Sequence, residues 1–442
     1  MPATPLDSAI YRDLLGDAEL AKLFTDSADV RAMLLVQGAL ARVQGDIGMI
    51  PKDSAAAIHR ASLEIQIDPA GLAAETGQSA VVVPALVAAF RKAMQAPEHA
   101  QFIHWGATSQ DIMDTALVLR LRQVVAIYET RLKNVIQRLG ALAQQHADLP
   151  MAGRTYGQVA TPTSFGAVVA SWGAPLIRHL ERLEQSKPRL LQVSLSGAAG
   201  TLSAMGKDGP AVRAALAKTL DLNDPQGSWH STRDTIAEYS AWVTLVAGSL
   251  GKIGEDLLLL TQSGLSEVRL AKAGGSSTMP QKTNPVQPTL LVALARQTMG
   301  LNSIMQGAML HRQQRDGATW FTEWMSLPQI CLGTARALSV AHDLTISITP
   351  NWDAMAKGID DGLGLIYAES LSFELAKRMP RPEAQAAVKI LCRKAQEDQK
   401  TLVELACVKW PDAGLEGLFT PATNLGTAPD EARNFAKNAQ SV

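Results

Sequence analysis

From Gln110 to Ala147 the residues Leu117, Leu121, Val124, Tyr128, Leu132, Val135, Leu139 and Leu142 recur at steps of three and four. That spacing describes one face of a single α-helix, and at about 1.5 Å per residue the helix runs roughly 50 Å or more. Thr108 and Asp111 stand three apart at its start, as in a capping box with Asp replacing Glu. Pro150 marks its end. A second stripe, Ile236, Tyr239, Val243, Val246, Leu250, Ile253, Leu257 and Leu260, repeats the pattern. Further helices are predicted over about 163–186, 286–310 and 329–345. Long helices with near-heptad stripes must bury those stripes against one another, which predicts an all-α fold with a central bundle. The same stripes can pair between subunits. No run of alternating strand residues and no internal repeat is evident.

The flanks differ from the middle. Residues 1–107 hold shorter helical pieces broken by Pro51, Pro69 and Pro84, and the chain after Pro350 is broken at Pro380, Pro382 and Pro411. A chain of 442 residues exceeds one ordinary core. The expected division is an N-terminal helical domain (1–107), a long-helix bundle (108–348) and a C-terminal helical domain (349–442). The formal net charge of −1 provides no global field for nucleic acid or an anionic membrane. No apolar run approaches the roughly 20 residues of a membrane span, and the N-terminus lacks the basic-then-apolar order of a signal peptide. Cys331, Cys392 and Cys407 show no paired spacing and read as reduced, cytoplasmic residues.

Chemistry concentrates in a few segments. Gly274-Gly275-Ser276-Ser277-Thr278-Met279-Pro280-Gln281-Lys282-Thr283-Asn284 joins two helices. Its glycines suit a moving lid, and its hydroxyls, lysine and asparagine can surround an anion. A polar interhelical loop is the plainer reading. His104-Trp105-Gly106-Ala107-Thr108-Ser109 precedes the first long helix, where hydroxyls and unpaired N–H groups beside the positive helix end favour a carboxylate. Simple capping by Thr108 would use the same groups. Gly153-Arg154-Thr155-Tyr156-Gly157-Gln158, Trp229-His230-Ser231-Thr232-Arg233-Asp234 and Gln314-Arg315-Asp316 complete the set.

The order Gly-Ser-x-x-Met-x-x-Lys-x-Asn resembles the signature of the fumarase/aspartase superfamily, and the other segments resemble its remaining blocks in the same order. The resemblance covers essentially residues 30–440. It implies Ser276 as the base at the carbon next to a carboxylate, with Lys282 stabilising charge. It also implies substrate contacts from His104, Thr108, Ser109, Arg154, Thr155, Gln158, His230, Ser277, Met279, Asn284 and Arg315. No metal or organic cofactor is implied, and neither HExxH nor a zinc-spaced Cys/His cluster occurs. A small polycarboxylate substrate and a homotetramer with sites shared between subunits are the implied partners, with no nucleic acid and no membrane.

Tyr156 stands where the amine lyases of this superfamily carry the His that protonates a nitrogen leaving group. A carboxylate leaves or attacks as the anion and needs no such acid. The chain thereby resembles the 3-carboxy-cis,cis-muconate cycloisomerases of aromatic-acid degradation, in which an aromatic residue fills this place; Tyr156, a phenol, could itself supply a proton. The alternatives are a fumarate-releasing C–N lyase and, more remotely, a non-catalytic crystallin-like protein.

Overall fold

A computed structural model describes residues 4–271, 274–275 and 277–442. The long helices span Ser109–Gln145, Phe165–Leu190, Asp234–Leu260, Val286–Gly307 and Gly317–Ser347. All eight residues of the second stripe are buried, from Ile236 to Leu260. In the first stripe Leu121 through Leu142 are buried and Leu117 is half-buried. Ile112, Ala116, Val118, Val125 and Ile136 are buried too. The Ser109–Gln145 helix is therefore enclosed on several sides, and a single stripe understates its burial.

The helix expected to begin near residue 329 begins at Gly317 and continues through Pro328. Proline removes one backbone hydrogen bond. Burial of Trp320 and Leu327 before it, and of Ile330 and Cys331 after it, outweighs that loss. Cys331 is fully buried, and burial pushes its thiol up to about 12. Because thiolate is the reactive form, iodoacetamide is expected to leave Cys331 unmodified in the native protein and to label it after unfolding. Mass spectrometry of the Cys331 peptide checks this, and native labelling would contradict the packing.

The chain divides into two compact units, each discontinuous in sequence. The first comprises Met1–Thr130, His179–Gly248 and Leu294–Ala337, and the second Arg131–Arg178, Ser249–Ala293 and Leu338–Val442. Each of the five long helices contributes one end to each unit. In the first unit the helices Asp26–Ile47 and Lys52–Glu64 approach closely at Gly45, where a Cβ would lie 2.3 Å from that of Ala55. In the second unit the Ala428–Gln440 helix sets Phe435 against Gly173 at a distance that leaves no room for a side chain.

The fold is all-α, with a few short strands beside the helices. Pro150–Thr155 pairs antiparallel with Gln158–Ser164, and two shorter ladders join Val268–Leu270 to Ile348–Pro350 and Gly274–Gly275 to Thr283–Asn284. These strands are too short for alternation to stand out in the sequence. The turn is the better signal. Tyr156 and Gly157 form a two-residue connection with φ of 52° and 74°, as a type I′ turn requires. Glycine takes this conformation freely, whereas tyrosine does so only because the hairpin imposes it.

Candidate active site

In the first unit the site is organised around the start of the Ser109–Gln145 helix. His104 and Gly106 both have positive φ, and a Cβ at Gly106 would meet Met205 Cγ at 2.8 Å. The chain thus enters the helix through a tight turn packed on a neighbour. Half of the expected capping box forms: the Thr108 N–H donates to Asp111 Oδ2 at 2.9 Å. The Thr108 hydroxyl instead accepts a hydrogen bond from Arg315 Nη2 at 3.3 Å. Ser109 is half-buried beside it.

Asp111 is fully buried and gathers the surrounding chain. Its Oδ1 accepts from the Ser196 N–H and from His230 Nε2, both at 2.8 Å, and its Oδ2 also accepts from the Gly197 N–H at 3.0 Å. Gln110 ties the cluster together. Its Nε2 donates to the His230 carbonyl and to Asp114, while its Oε1 accepts from Arg315 Nε at 2.8 Å. Arg315 also reaches the Ala198 carbonyl at 3.4 Å. Thr108, His230 and Arg315 are therefore brought together by neighbouring side chains of the first segment, chiefly Gln110 and Asp111.

Beneath this layer lies a buried ion cluster. Arg233 donates to both oxygens of Asp114 (2.8 and 3.1 Å) and both oxygens of Glu323 (2.8 and 2.6 Å), with its guanidinium 4.7 Å from the Trp229 ring. Arg233, Asp114 and Glu323 are each no more than 2% exposed. Burial works against the Arg233 charge, but Asp114 and Glu323 together hold it above its ordinary value. Charged residues set among core positions, with Asp114 one turn after Gln110 and Arg233 just before a buried stripe, were the available signal.

His104 faces Gln37, whose Nε2 donates to its Nδ1 at 2.9 Å. Burial lowers its pKa to about 4, with Asp111 opposing and Arg91 assisting. The unfolded imidazole titrates near 6.5, so between these values the unfolded chain binds more protons than the folded one. The stability this residue contributes is complete above 6.5 and is lost as pH falls toward 4. Its ceiling is on the order of 3 kcal/mol. His104→Gln is expected to flatten that part of the curve of unfolding free energy against pH; an unchanged slope there contradicts the assignment.

The second unit holds the remaining residues of the motif segments. Arg154 places both Nη groups on Glu267, at 2.8 and 2.9 Å, and Glu267 is fully buried. The Arg154 fork thereby ties the hairpin to Glu267. Thr155, Tyr156 and Gln158 are exposed at the hairpin tip, Tyr156 completely so. Ser277, Met279 and Lys282 are exposed on the segment closed by the Gly274–Gly275 and Thr283–Asn284 ladder, and Asn284 is half-buried in that ladder. Ser276 lies outside the described residues.

A family model described as Lyase matches residues 16–300. The 3-carboxy-cis,cis-muconate cycloisomerase of Pseudomonas aeruginosa is 38% identical to this chain, covering 97% of it and 95% of the relative. Among solved structures, the 3-carboxy-cis,cis-muconate lactonizing enzyme of Pseudomonas putida superposes with a TM-score of 0.91 at 33% identity, covering 98% of this chain and 99% of the other. A fumarate lyase from Mesorhizobium sp. BNC1 superposes with a TM-score of 0.90 at 35% identity, covering 96% and 98%.

Proposed function

Because this chain belongs to the lyase family of the fumarase/aspartase superfamily, we propose that it is a cycloisomerase converting 3-carboxy-cis,cis-muconate to 4-carboxymuconolactone in aromatic-acid degradation. One substrate carboxylate adds across a double bond, forming the ring C–O bond, while the carbon next to another carboxylate takes up a proton. Ser276 handles that proton. Lys282 and Asn284 meet a carboxylate, and Thr108, Ser109 and Arg315 meet another. Ser277, Met279, Thr155, Gln158, His104 and His230 complete the walls. Arg154, braced by its ion pair with Glu267, belongs to the same set.

The observation that carries this reading over a C–N lyase is Tyr156, at the place where an amine elimination needs an imidazole acid. The working form is a cytoplasmic homotetramer whose sites each draw on three chains. Support comes from exposed apolar residues on the long helices, among them Leu245, Leu259, Met299, Met325 and Ile346. Among the described residues no helix is long and apolar enough to cross a membrane.

The test is direct. Incubation with 3-carboxy-cis,cis-muconate is expected to abolish the conjugated-diene absorbance and yield the lactone, with no fumarate. Fumarate released from a succinyl-amine substrate, with carboxymuconate unchanged, overturns the proposal in favour of the lyase reading.

A further inference from the structure

Glu267 stands immediately before the Val268–Leu270 strand, and its side chain is completely buried. Its surroundings leave it little freedom. The Glu267 carbonyl accepts the Asn351 N–H at 2.8 Å, Asn351 Nδ2 donates to the Ser266 carbonyl at 2.8 Å, and the strand that follows pairs with Ile348–Pro350. The Trp352–Asp360 helix closes over the side chain: a Cβ at Gly358 would lie 2.9 Å from Glu267 Oε1 and 3.5 Å from Arg154 Nη2. Separate stretches of the second unit thus converge to fix one carboxylate against Arg154.

The hydrogen bonds then decide which donors of Arg154 remain. A guanidinium carries five N–H groups in one rigid plane. Nη1 and Nη2 each give one hydrogen to Glu267, at 2.8 and 2.9 Å, which fills the outer edge of the fork. Nη1 turns its other hydrogen to the Ala152 carbonyl at 3.2 Å. What is left is the side edge, where Nε–H and the second Nη2 hydrogen run parallel; neither has a partner among the described residues. Two parallel donors match the two oxygens of a carboxylate. The side edge is also reachable. The Arg154 side chain is 23% exposed although its partner is not exposed at all, and it lines a cavity of about 560 Å³ together with Gly153, Gly157 and Gln262. Lys252, in the same wall, is paired with Asp256.

We propose that Glu267 is a positioning residue, which holds the Arg154 guanidinium so that its Nε–Nη2 edge, and not the outer fork, receives a substrate carboxylate. This rests on the polycarboxylate site proposed above and adds to it a residue that lies in none of the motif segments. It also sets what that edge selects: a planar anion presenting two oxygens side by side. A lysine at position 154 could keep an ion pair with Glu267 but has no such edge.

The experiment uses tricarballylate, a saturated tricarboxylate with no double bond to react. Calorimetric titration of the full chain gives its Kd, and steady-state rates with 3-carboxy-cis,cis-muconate give KM and kcat. Glu267→Gln keeps the shape and loses one acceptor; it is expected to raise Kd and KM about tenfold, with kcat within about threefold of wild type. Arg154→Lys is expected to lose at least as much binding, whereas a mere tie for the hairpin would survive that change. In an Arg154→Met background, Glu267→Gln is expected to add nothing to Kd, because the one residue acts through the other. A wild-type Kd in Glu267→Gln or Arg154→Lys, a further tenfold loss on top of Arg154→Met, or no binding by the wild type each overturns the proposal. Circular dichroism checks folding. If Glu267→Gln does not fold, Gly358→Ala decides: its methyl group displaces the Glu267 carboxylate, so Kd is expected to rise about threefold or more, and an unchanged Kd overturns the proposal. A chain that shows these changes with tricarballylate yet leaves carboxymuconate unconverted overturns the cycloisomerase reading and leaves the positioning role standing.

Discussion

Arg233→Met is expected to lower the free energy of unfolding by about 3–5 kcal/mol, since removing one partner of a buried ion cluster leaves charges with nothing to pair them. Here two carboxylates would be left. Asp114 and Glu323 are 1% and 2% exposed, and each is held by two hydrogen bonds from the same guanidinium. Burial already pushes the Glu323 carboxyl upward, with Arg233 opposing; without the cation, the carboxyls must take up protons or admit water. The loss is read from the denaturant midpoint. A companion variant, Arg233→Met with Asp114→Leu and Glu323→Met, separates charge from shape. Replacing a whole buried cluster by apolar residues of similar volume is often close to neutral, so it is expected to recover most of the lost stability. A single variant within about 1 kcal/mol of wild type would show that the cluster is not sealed as its geometry indicates.

That cluster also marks the limit of what the sequence discloses. Heptad-like stripes are a local record of burial, so the Ser109–Gln145 and Asp234–Leu260 helices could be read to within two residues at their ends. The motif segments were equally legible, because Thr108, His230, Arg315 and Lys282 sit in ordered strings of residues. The pairings between segments were not. Asp111 and His230 are 119 positions apart in the chain, as are Asp114 and Arg233. A charged residue one turn into a helix looks the same in sequence whether it faces water or a buried guanidinium. Arg154 has a support of the same kind: its partner Glu267 stands 113 positions away with no local signal. The hairpin formed by Pro150–Thr155 and Gln158–Ser164 has no periodic signal, because its evidence is a turn, Tyr156-Gly157.

Turnover is expected to fall by about a thousandfold or more in Ser276→Ala, with KM changing much less, because in the proposed mechanism the lost group acts on the proton in transit and contributes little to ground-state binding. The expectation rests on the position of Ser276 after Gly275 in the signature segment. The mounting of that segment makes the variant informative. Gly274 pairs with Asn284 and Gly275 with Thr283, while the Lys282 N–H closes a turn onto the Met279 carbonyl at 3.0 Å. A Cβ at Gly274 would lie 2.6 Å from Val286 Cγ2, so the base of the segment has no slack. These contacts involve backbone atoms and residues other than 276, so they survive removal of one hydroxyl. Ser277→Ala is the control, expected to keep turnover within about tenfold, since the proposed mechanism uses the Ser277 hydroxyl as a substrate contact and not as the base. Steady-state rates with 3-carboxy-cis,cis-muconate measure both variants. Comparable losses at 276 and 277 would indicate damage to the segment as a whole, and Ser276→Ala within tenfold of wild type would place the base on another residue. Lys282→Ala then distinguishes stabilisation of charge from proton transfer: it is expected to raise KM as well as lower turnover, because an exposed ammonium meets a carboxylate in the ground state as well as in the transition state.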